Sequence, residues 1–478
     1  MKNVVIVGGG FTGTLAAVNL ARLSTSPLRV TIVNHENPSG RGIAYSTRNV
    51  AHLLNVAARN MSALADQPNH FVEWLGTRSE YLDLPAAFLR EQFIPRKIYG
   101  DYLQNLFLWF SSSANGPREI QLETIRDEAV DVIPGTPLKV QLAGGTMLEA
   151  DKIILAVGNQ TPTQFKLRGL NPEDARHIGN PWGDWERHLG ANDRPILLVG
   201  TGLTMVDAFL SLKSAGWHGK IFATSRNGLL PLSHFKGQEY PDLLDENTGN
   251  ITLRKMLGIF QRHYRDAKAG HINPAILVDK LRPFTQRLWQ NFSVAEKRRF
   301  NRHFRTPWNV TRHRIAPSIH LQLTEAIADG RLEIIKGRLR ECREGVGGNL
   351  AFSIETGGVA RVIEAGSIVN CTGPRESYVD STLIGNLQKR GTVRADEMNM
   401  GIKVGPNFSV LDAGGNYSDA IYAVGSLLKG TLWETTAVPE LRSQAFRLAE
   451  IIASQLPGKV AEKPRIAEVF DDVMEYSI

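Results

Sequence analysis

The 478-residue chain predicts an α/β fold in which two parallel-sheet units are nested, one inserted in the other, with a basic helical insertion. Three observations lead there. An apolar strand runs through a glycine-rich turn into a helix at the start of the chain. The same pattern recurs near residue 196. Late apolar strands ending in glycine then close each unit.

The opening is MKNVVIVGGGFTGTLAAVNLAR. Val4 to Val7 is a β-branched apolar run, and Thr14 to Arg22 has apolar residues at helical spacing, so the glycines lie at a strand-to-helix turn. Gly8 permits the tight turn, Gly10 lets the main chain approach a phosphate, and Gly13 lets the helix pack closely on the strand. Free N–H groups and the helix dipole face an anion there, which is the construction of a Rossmann-like dinucleotide site.

The second instance is RPILLVGTGLTMVDAFLSLKSAG, with Gly200 and Gly202 after the strand Ile196 to Val199. Met205 stands where a third small residue is usual, so this helix sits farther from its strand. The next strand, KIFATS, ends beside Arg226, placed where an arginine pairs with the 2′-phosphate of NADP; the competing reading is a solvated strand-end arginine. Between the two turns, residues 128–162 read as a β meander, turning at Pro134–Gly135 and Gly144–Gly145, and a buried strand ending Ala156-Val157-Gly158. SIVNCTGP at 367–374 closes the second unit, and YAVGS at 422–426 returns a strand to the first. The expected divisions are 1–165, 166–375 with a helical segment over 250–330, and 376–478. Two dinucleotide cradles imply a flavin and a nicotinamide.

The blocks GRGIAYS (40–46), HLLNVAARNMSAL (52–64), HFVEWL (70–75), PRKIYGDYL (95–103), NPW (180–182), GTGLTMVD (200–207), RHRIAP (312–317), NCTGP (370–374) and LWETTAVPELR (432–442) run nearly the whole chain. Together they resemble a bacterial FAD/NAD(P)-binding flavoprotein family related to the flavin-containing and N-hydroxylating monooxygenases. The resemblance implies FAD at the first turn, NAD(P)H at the second, and O₂ as co-substrate. Reduced FAD would form the oxygen-transferring C4a-hydroperoxide, with the protein supplying orientation and a dry site. Family members with assigned activities include a urate hydroxylase and an amino-acid N-hydroxylase. The expectation leans to urate, because no second carboxylate-binding motif is evident. Two positions depart from the usual pattern. The acidic ribose ligand after the second strand falls at Glu36, with Asn34 as the other choice, and Ser426 replaces the aspartate usual after Gly425.

Other candidates follow from position. Arg41, between Gly40 and Gly42, and Asn55 could border the flavin, and Arg96, Lys97 and Tyr99 resemble a segment that crosses the flavin domain in related monooxygenases. Trp433 and Glu434 precede a helix starting near Pro439, whose N-terminal N–H groups would face the flavin pyrimidine. Residues 280–314 carry ten Lys and Arg against Glu296 alone, with Phe292, Phe300, Phe304 and Trp308 at spacings of four or eight, one stripe if a single helix continues. Arg312, His313 and Arg314 form a tighter cluster. They read either as a cationic lip for an anionic substrate or the cofactor phosphates, with His313 exchanging a proton near neutral pH, or as structural ion pairs around a buried histidine.

Composition bounds the rest. With 42% hydrophobic and 22% charged residues the chain is ordinary for a globular protein, and no apolar run of membrane-spanning length or signal peptide is evident, so a cytoplasmic location without a membrane partner is expected. The two cysteines, Cys342 and Cys371, form no CxxC pair, which argues against a disulfide reductase and a zinc site. The net charge of +7 suits a small anion or cofactor phosphates, and leaves an RNA-binding or RNA-modifying flavoprotein as the rival reading.

Overall fold

The computed structural model describes residues 1–35, 40–112, 119–189, 193–245, 248–378 and 380–456. Its first sheet has six strands, in the order Ser409–Leu411, Tyr417–Ala423, Lys152–Leu155, Lys2–Val7, Leu28–Val33 and Ile120–Ile125. All neighbours are parallel except the first pair. Strands from both ends of the chain thus share one sheet. The second sheet is parallel throughout and contains only strands from between them: Leu332–Lys336, Ile221–Ser225, Ile196–Val199, Ser367–Asn370 and His177–Ile178.

Each sheet buries both faces, which is why its strands read as continuous apolar runs rather than alternating ones. Val4, Ile6, Ile32, Ile153 and Ile154 are fully buried in the first, beneath helices Phe11–Leu23 and Val438–Gln455, which pack on each other. Ile196, Leu198, Met205, Leu212 and Ile319 form the second core. Each unit also carries a three-stranded antiparallel meander, Ala129–Ile133 with Leu138–Leu142 and Met147–Ala150, and Arg338–Glu344 with Leu350–Thr356 and Val359–Ala365.

The helical segment differs from the single stripe expected. The chain is broken into helices Thr285–Asn291, Val294–His303 and Arg305–Arg312. A capping box explains the first break: Ser293 accepts from the Glu296 N–H, and the Glu296 carboxylate accepts from the Ser293 N–H at 2.9 Å. That carboxylate also accepts from the Leu253 N–H at 2.8 Å, tying two helix starts together. The sole acid of the run is therefore its punctuation. Phe292 leaves the stripe but stays in the same core as Trp289, Phe300 and Trp308, which also takes in Met400 and Trp433 from the C-terminal part.

Candidate functional site

Strand Lys2–Val7 delivers Gly8 at φ 107°, where a Cβ would lie 2.2 Å from the Ala156 carbonyl oxygen. Conformation and close approach both require glycine. A Cβ at Gly13 would fall 1.9 Å from the Gly8 oxygen, so the helix crosses its own turn as closely as the motif demands. Gly10 precedes helix Phe11–Leu23 and faces only Gly42, whose Cα is 3.7 Å from the position of a Cβ. The turn is braced by the Gly9 N–H donating to Asn34 Oδ1 at 3.1 Å and the Gly40 N–H donating to Gly9 O at 2.9 Å. Asn34 thus supports the cradle itself, while Glu36 lies outside the described residues. Arg41 turns to Asp101 and Gln104, anchoring the 40–42 loop to helix Arg96–Ser111.

The C-terminal strand brings Gly425 and Ser426 to the same place. Gly425 has φ 80°, its N–H donates to Gln444 Oε1 at 3.1 Å, and a Cβ there would stand 3.2 Å from Thr12 Oγ1. Ser426 Oγ lies 3.1 Å from the Tyr378 hydroxyl, which donates to the Gly158 carbonyl at 2.8 Å. Gly8, Gly10, Gly158, Gly425 and Ser426 therefore converge on one helix start. Tyr378 carried no sequence signal, because only the fold places it beside the turn, and Thr12, though inside the glycine motif, meets Gly425 only in the folded chain.

The second turn repeats the construction. Gly200 has φ 120°, and a Cβ would lie 2.2 Å from the Cys371 carbonyl oxygen, matching Gly8 and Ala156. A Cβ at Gly202 would meet nothing within 4 Å, so space lies open before helix Leu203–Ser214. Met205, where a third glycine is usual, is fully buried in the second core. Thr201 Oγ1 sits 2.8 Å from Ser225 Oγ and donates to Leu229 O at 2.6 Å, which ties the turn to the strand end carrying exposed Arg226. Ser225 pairs in register with Lys336, a second exposed cation at this edge.

The units meet at a polar seam. Arg96 donates to Asp207 Oδ2 at 2.7 Å across it, and from Nε to Leu53 O at 2.9 Å. His52 bridges Thr47 Oγ1 at 2.8 Å and the Asp207 carbonyl at 3.0 Å. His234 Nε2 lies 2.6 Å from the Asn55 carbonyl, so Asn55 marks the seam through its main chain. Burial lowers the pKa of both histidines, favouring neutral rings.

The Arg312 to Arg314 cluster is internal. Arg312 is 10% exposed and pairs with Glu434 at 3.3 Å and Glu440 at 3.7 Å. Arg314 donates to Asp279 Oδ2 at 2.9 Å and to Ala275 O at 2.8 Å, with its guanidinium 4.5 Å from the Phe235 ring centre. His313 has its pKa lowered to about 3, by burial first and then by Arg312 and Lys429. Burial and these cations favour the neutral ring, in line with the second of the two sequence readings, a buried histidine among ion pairs. The cationic lip is compensated from within. Trp433, at φ 64°, stacks on Trp289 with centroids 4.6 Å apart and packs edge-on to Phe300 at 5.2 Å. It faces the helical segment, whereas Thr435, two residues on, donates to Gly425 O at 2.8 Å.

Three more cations of the basic run are likewise paired, Lys280 with Asp242, Arg282 with Glu440, and Arg305 with Glu376, while Arg298, Arg299 and Arg302 are exposed. These acids come from elsewhere in the chain, which one-dimensional counting missed. Among the described residues no helix is long and apolar enough to cross a membrane, and no group of three potential ligands could hold a metal.

Residues 5–160 match a family described as FAD-NAD(P)-binding. No curated protein sequence matches the chain. Similar solved structures include the ornithine hydroxylase of Pseudomonas aeruginosa, with TM-score 0.65 and 14% identity over 95% of this chain and 99% of that one. An ornithine N-hydroxylase from Kutzneria sp. 744 gives 0.63 and 15% over 95% and 99%. The cadaverine monooxygenase of the desferrioxamine pathway from Erwinia amylovora gives 0.64 and 13% over 97% of both chains. At these identities the likeness establishes the fold: parallel-sheet, Rossmann-like units arranged as in flavin monooxygenases.

Proposed function

We propose that the chain is an FAD-dependent, NAD(P)H-using monooxygenase that hydroxylates a nitrogen of a small amine. The observation carrying this reading is the paired construction of Gly8 against Ala156 and Gly200 against Cys371 within one chain. Each turn brings its first glycine too near the neighbouring strand for a Cβ, and each precedes a helix N-terminus suited to pyrophosphate. The first fits FAD and the second NAD(P)H, with Arg226 and Lys336 at the edge where a 2′-phosphate would lie.

The balanced reaction is R–NH₂ + O₂ + NAD(P)H + H⁺ → R–NHOH + H₂O + NAD(P)⁺. Bound FAD would supply electron transfer and O₂ activation. The chain's own task is to bind and orient. Gly8, Gly10 and Gly13 seat the flavin pyrophosphate, the Gly425–Ser426 turn meets the same helix start, and the Arg96–Asp207 pair keeps the two cradles in register. An amine reacts as a nucleophile only when unprotonated, so a neutral histidine at the seam is compatible with the chemistry where a charged one would repel an ammonium.

Urate, favoured from sequence, gains no support: the three solved structures named above are two ornithine hydroxylases and a cadaverine monooxygenase, and Arg312 and Arg314 face Glu434, Glu440 and Asp279 within the fold. The amino-acid N-hydroxylase alternative fits better, and we widen it here to small amines. The test is a visible spectrum of the purified protein, followed by NADH and NADPH oxidation with L-ornithine, cadaverine and urate, and hydroxylamine detection. Yellow protein with amine-stimulated oxidation and hydroxylamine product supports the reading. Colourless protein that takes up no added FAD refutes it.

A further inference from the structure

A cavity of about 460 Å³ opens where the second unit, the helical segment and the seam meet, lined among others by His234, Phe235, Glu239, Tyr240, Asp279 and Arg314. That volume is in the range of small-molecule sites. Its charges do not all cancel internally. Asp279 is matched by Arg314 at 2.9 Å, and Lys280, also on the wall, by Asp242 at 3.1 Å. Glu239 is exposed and has no hydrogen bond or ion pair among the described residues. It is the uncompensated charge, and it is negative.

The inner wall offers a complementary group. His234 is half-buried and donates through Nε2–H to the Asn55 carbonyl at 2.6 Å, which leaves Nδ1 with the lone pair of a neutral ring. The cavity wall thus carries an acceptor at His234, which contacts the first unit through Asn55, and a solvent-exposed carboxylate at Glu239. An α-carboxylate would find no free cation on this wall, since Arg314 and Lys280 are both engaged.

We propose that this cavity is the substrate site and takes an unbranched diamine, with one nitrogen directed to His234 Nδ1 and the other, as ammonium, paired with Glu239. The proposal rests on the amine-hydroxylase reading and deepens it. Calorimetric titration of the purified protein with cadaverine, pentylamine and L-ornithine tests it independently of turnover. Cadaverine binds about fivefold more tightly than pentylamine, the value of one exposed ion pair, and more tightly than L-ornithine. Glu239→Gln abolishes the advantage over pentylamine, while His234→Leu weakens both amines in equal proportion. Tighter binding of L-ornithine, or a cadaverine affinity unmoved by Glu239→Gln, overturns the proposal. Absence of cadaverine binding overturns it as well, whatever the flavin spectrum shows. A colourless protein that still binds cadaverine at Glu239 would refute the monooxygenase reading and leave this site standing.

Discussion

Single residues decide whether the cradles exist. The two turns contain glycines of two kinds, those the protein itself requires and those a ligand requires. Gly13→Ala drives a Cβ into the Gly8 carbonyl at 1.9 Å, so the turn must open, at a cost of about 1–3 kcal/mol. The expected result is loss of bound FAD in the visible spectrum and a lower melting temperature. Gly202→Ala meets nothing within 4 Å, so melting should be unchanged while the KM for NAD(P)H rises. A fall in stability without a change in KM would show that the open space at Gly202 is not a ligand path. Arg226→Ala probes the exposed strand end. A charge-assisted hydrogen bond of roughly 1.5–3 kcal/mol predicts a ten- to hundredfold rise in the NADPH KM and little change for NADH. Equal effects on both nucleotides would place Arg226 outside the 2′-phosphate site.

At the scale of elements, the helical segment is held to the C-terminal part by buried charge. Helix Arg305–Arg312 ends in the arginine that faces Glu434 and Glu440, both on or just before helix Val438–Gln455. Removing that arginine leaves buried Glu434 without its cation, while Glu440 keeps Arg282, so Arg312→Ala should cost roughly 3–5 kcal/mol in denaturant unfolding. An unchanged unfolding midpoint would mean that the pair contributes nothing. The next residue sets a pH dependence. The His313 pKa is about 3 in the folded chain against 6.5 for the free side chain. Between these values the unfolded state holds the extra proton, so this contribution to stability is complete above pH 6.5 and falls as the pH drops towards about 3. The slope is at most about 1.4 kcal/mol per pH unit. His313→Gln should flatten the acid limb of melting temperature between about pH 6 and pH 4, and an unaltered limb would contradict the neutral, buried ring.

At the scale of the whole molecule, two sheets of like construction are joined by a seam of specific polar contacts. The basic segment, counted along the chain, suggested a phosphate track; folded, much of it faces carboxylates contributed by residues 242, 279, 376, 434 and 440. An RNA-retention assay at low salt should accordingly show no strong, salt-dependent binding, whereas a track of free cations would give an affinity falling steeply with salt.

Local rules acting over a few residues made the cradles legible. A strand of β-branched residues, a glycine at positive φ and a helix start lie within one turn of each other, so Gly8, Gly10, Gly13, Gly200 and Gly202 could be read before any fold was known. The strand ends at Ala156 and Cys371 were legible for the same reason, as was the meander with its glycine turns. The helix break at Ser293 was also written locally, in the spacing of Ser293 and Glu296. The fate of the charges was not. Whether Arg312 binds a ligand or a carboxylate depends on Glu434, more than a hundred residues away, and no periodicity encodes that pairing. His234 and Glu239 gave no signal either, since a histidine and a glutamate in a loop acquire meaning only when the Asn55 carbonyl and the cavity wall arrive beside them. Backbone geometry is set by neighbours in sequence and electrostatics by neighbours in space; hence the chain's own order specified its two strand–glycine–helix turns, and tertiary packing alone decided which of its charges are paired inside the fold.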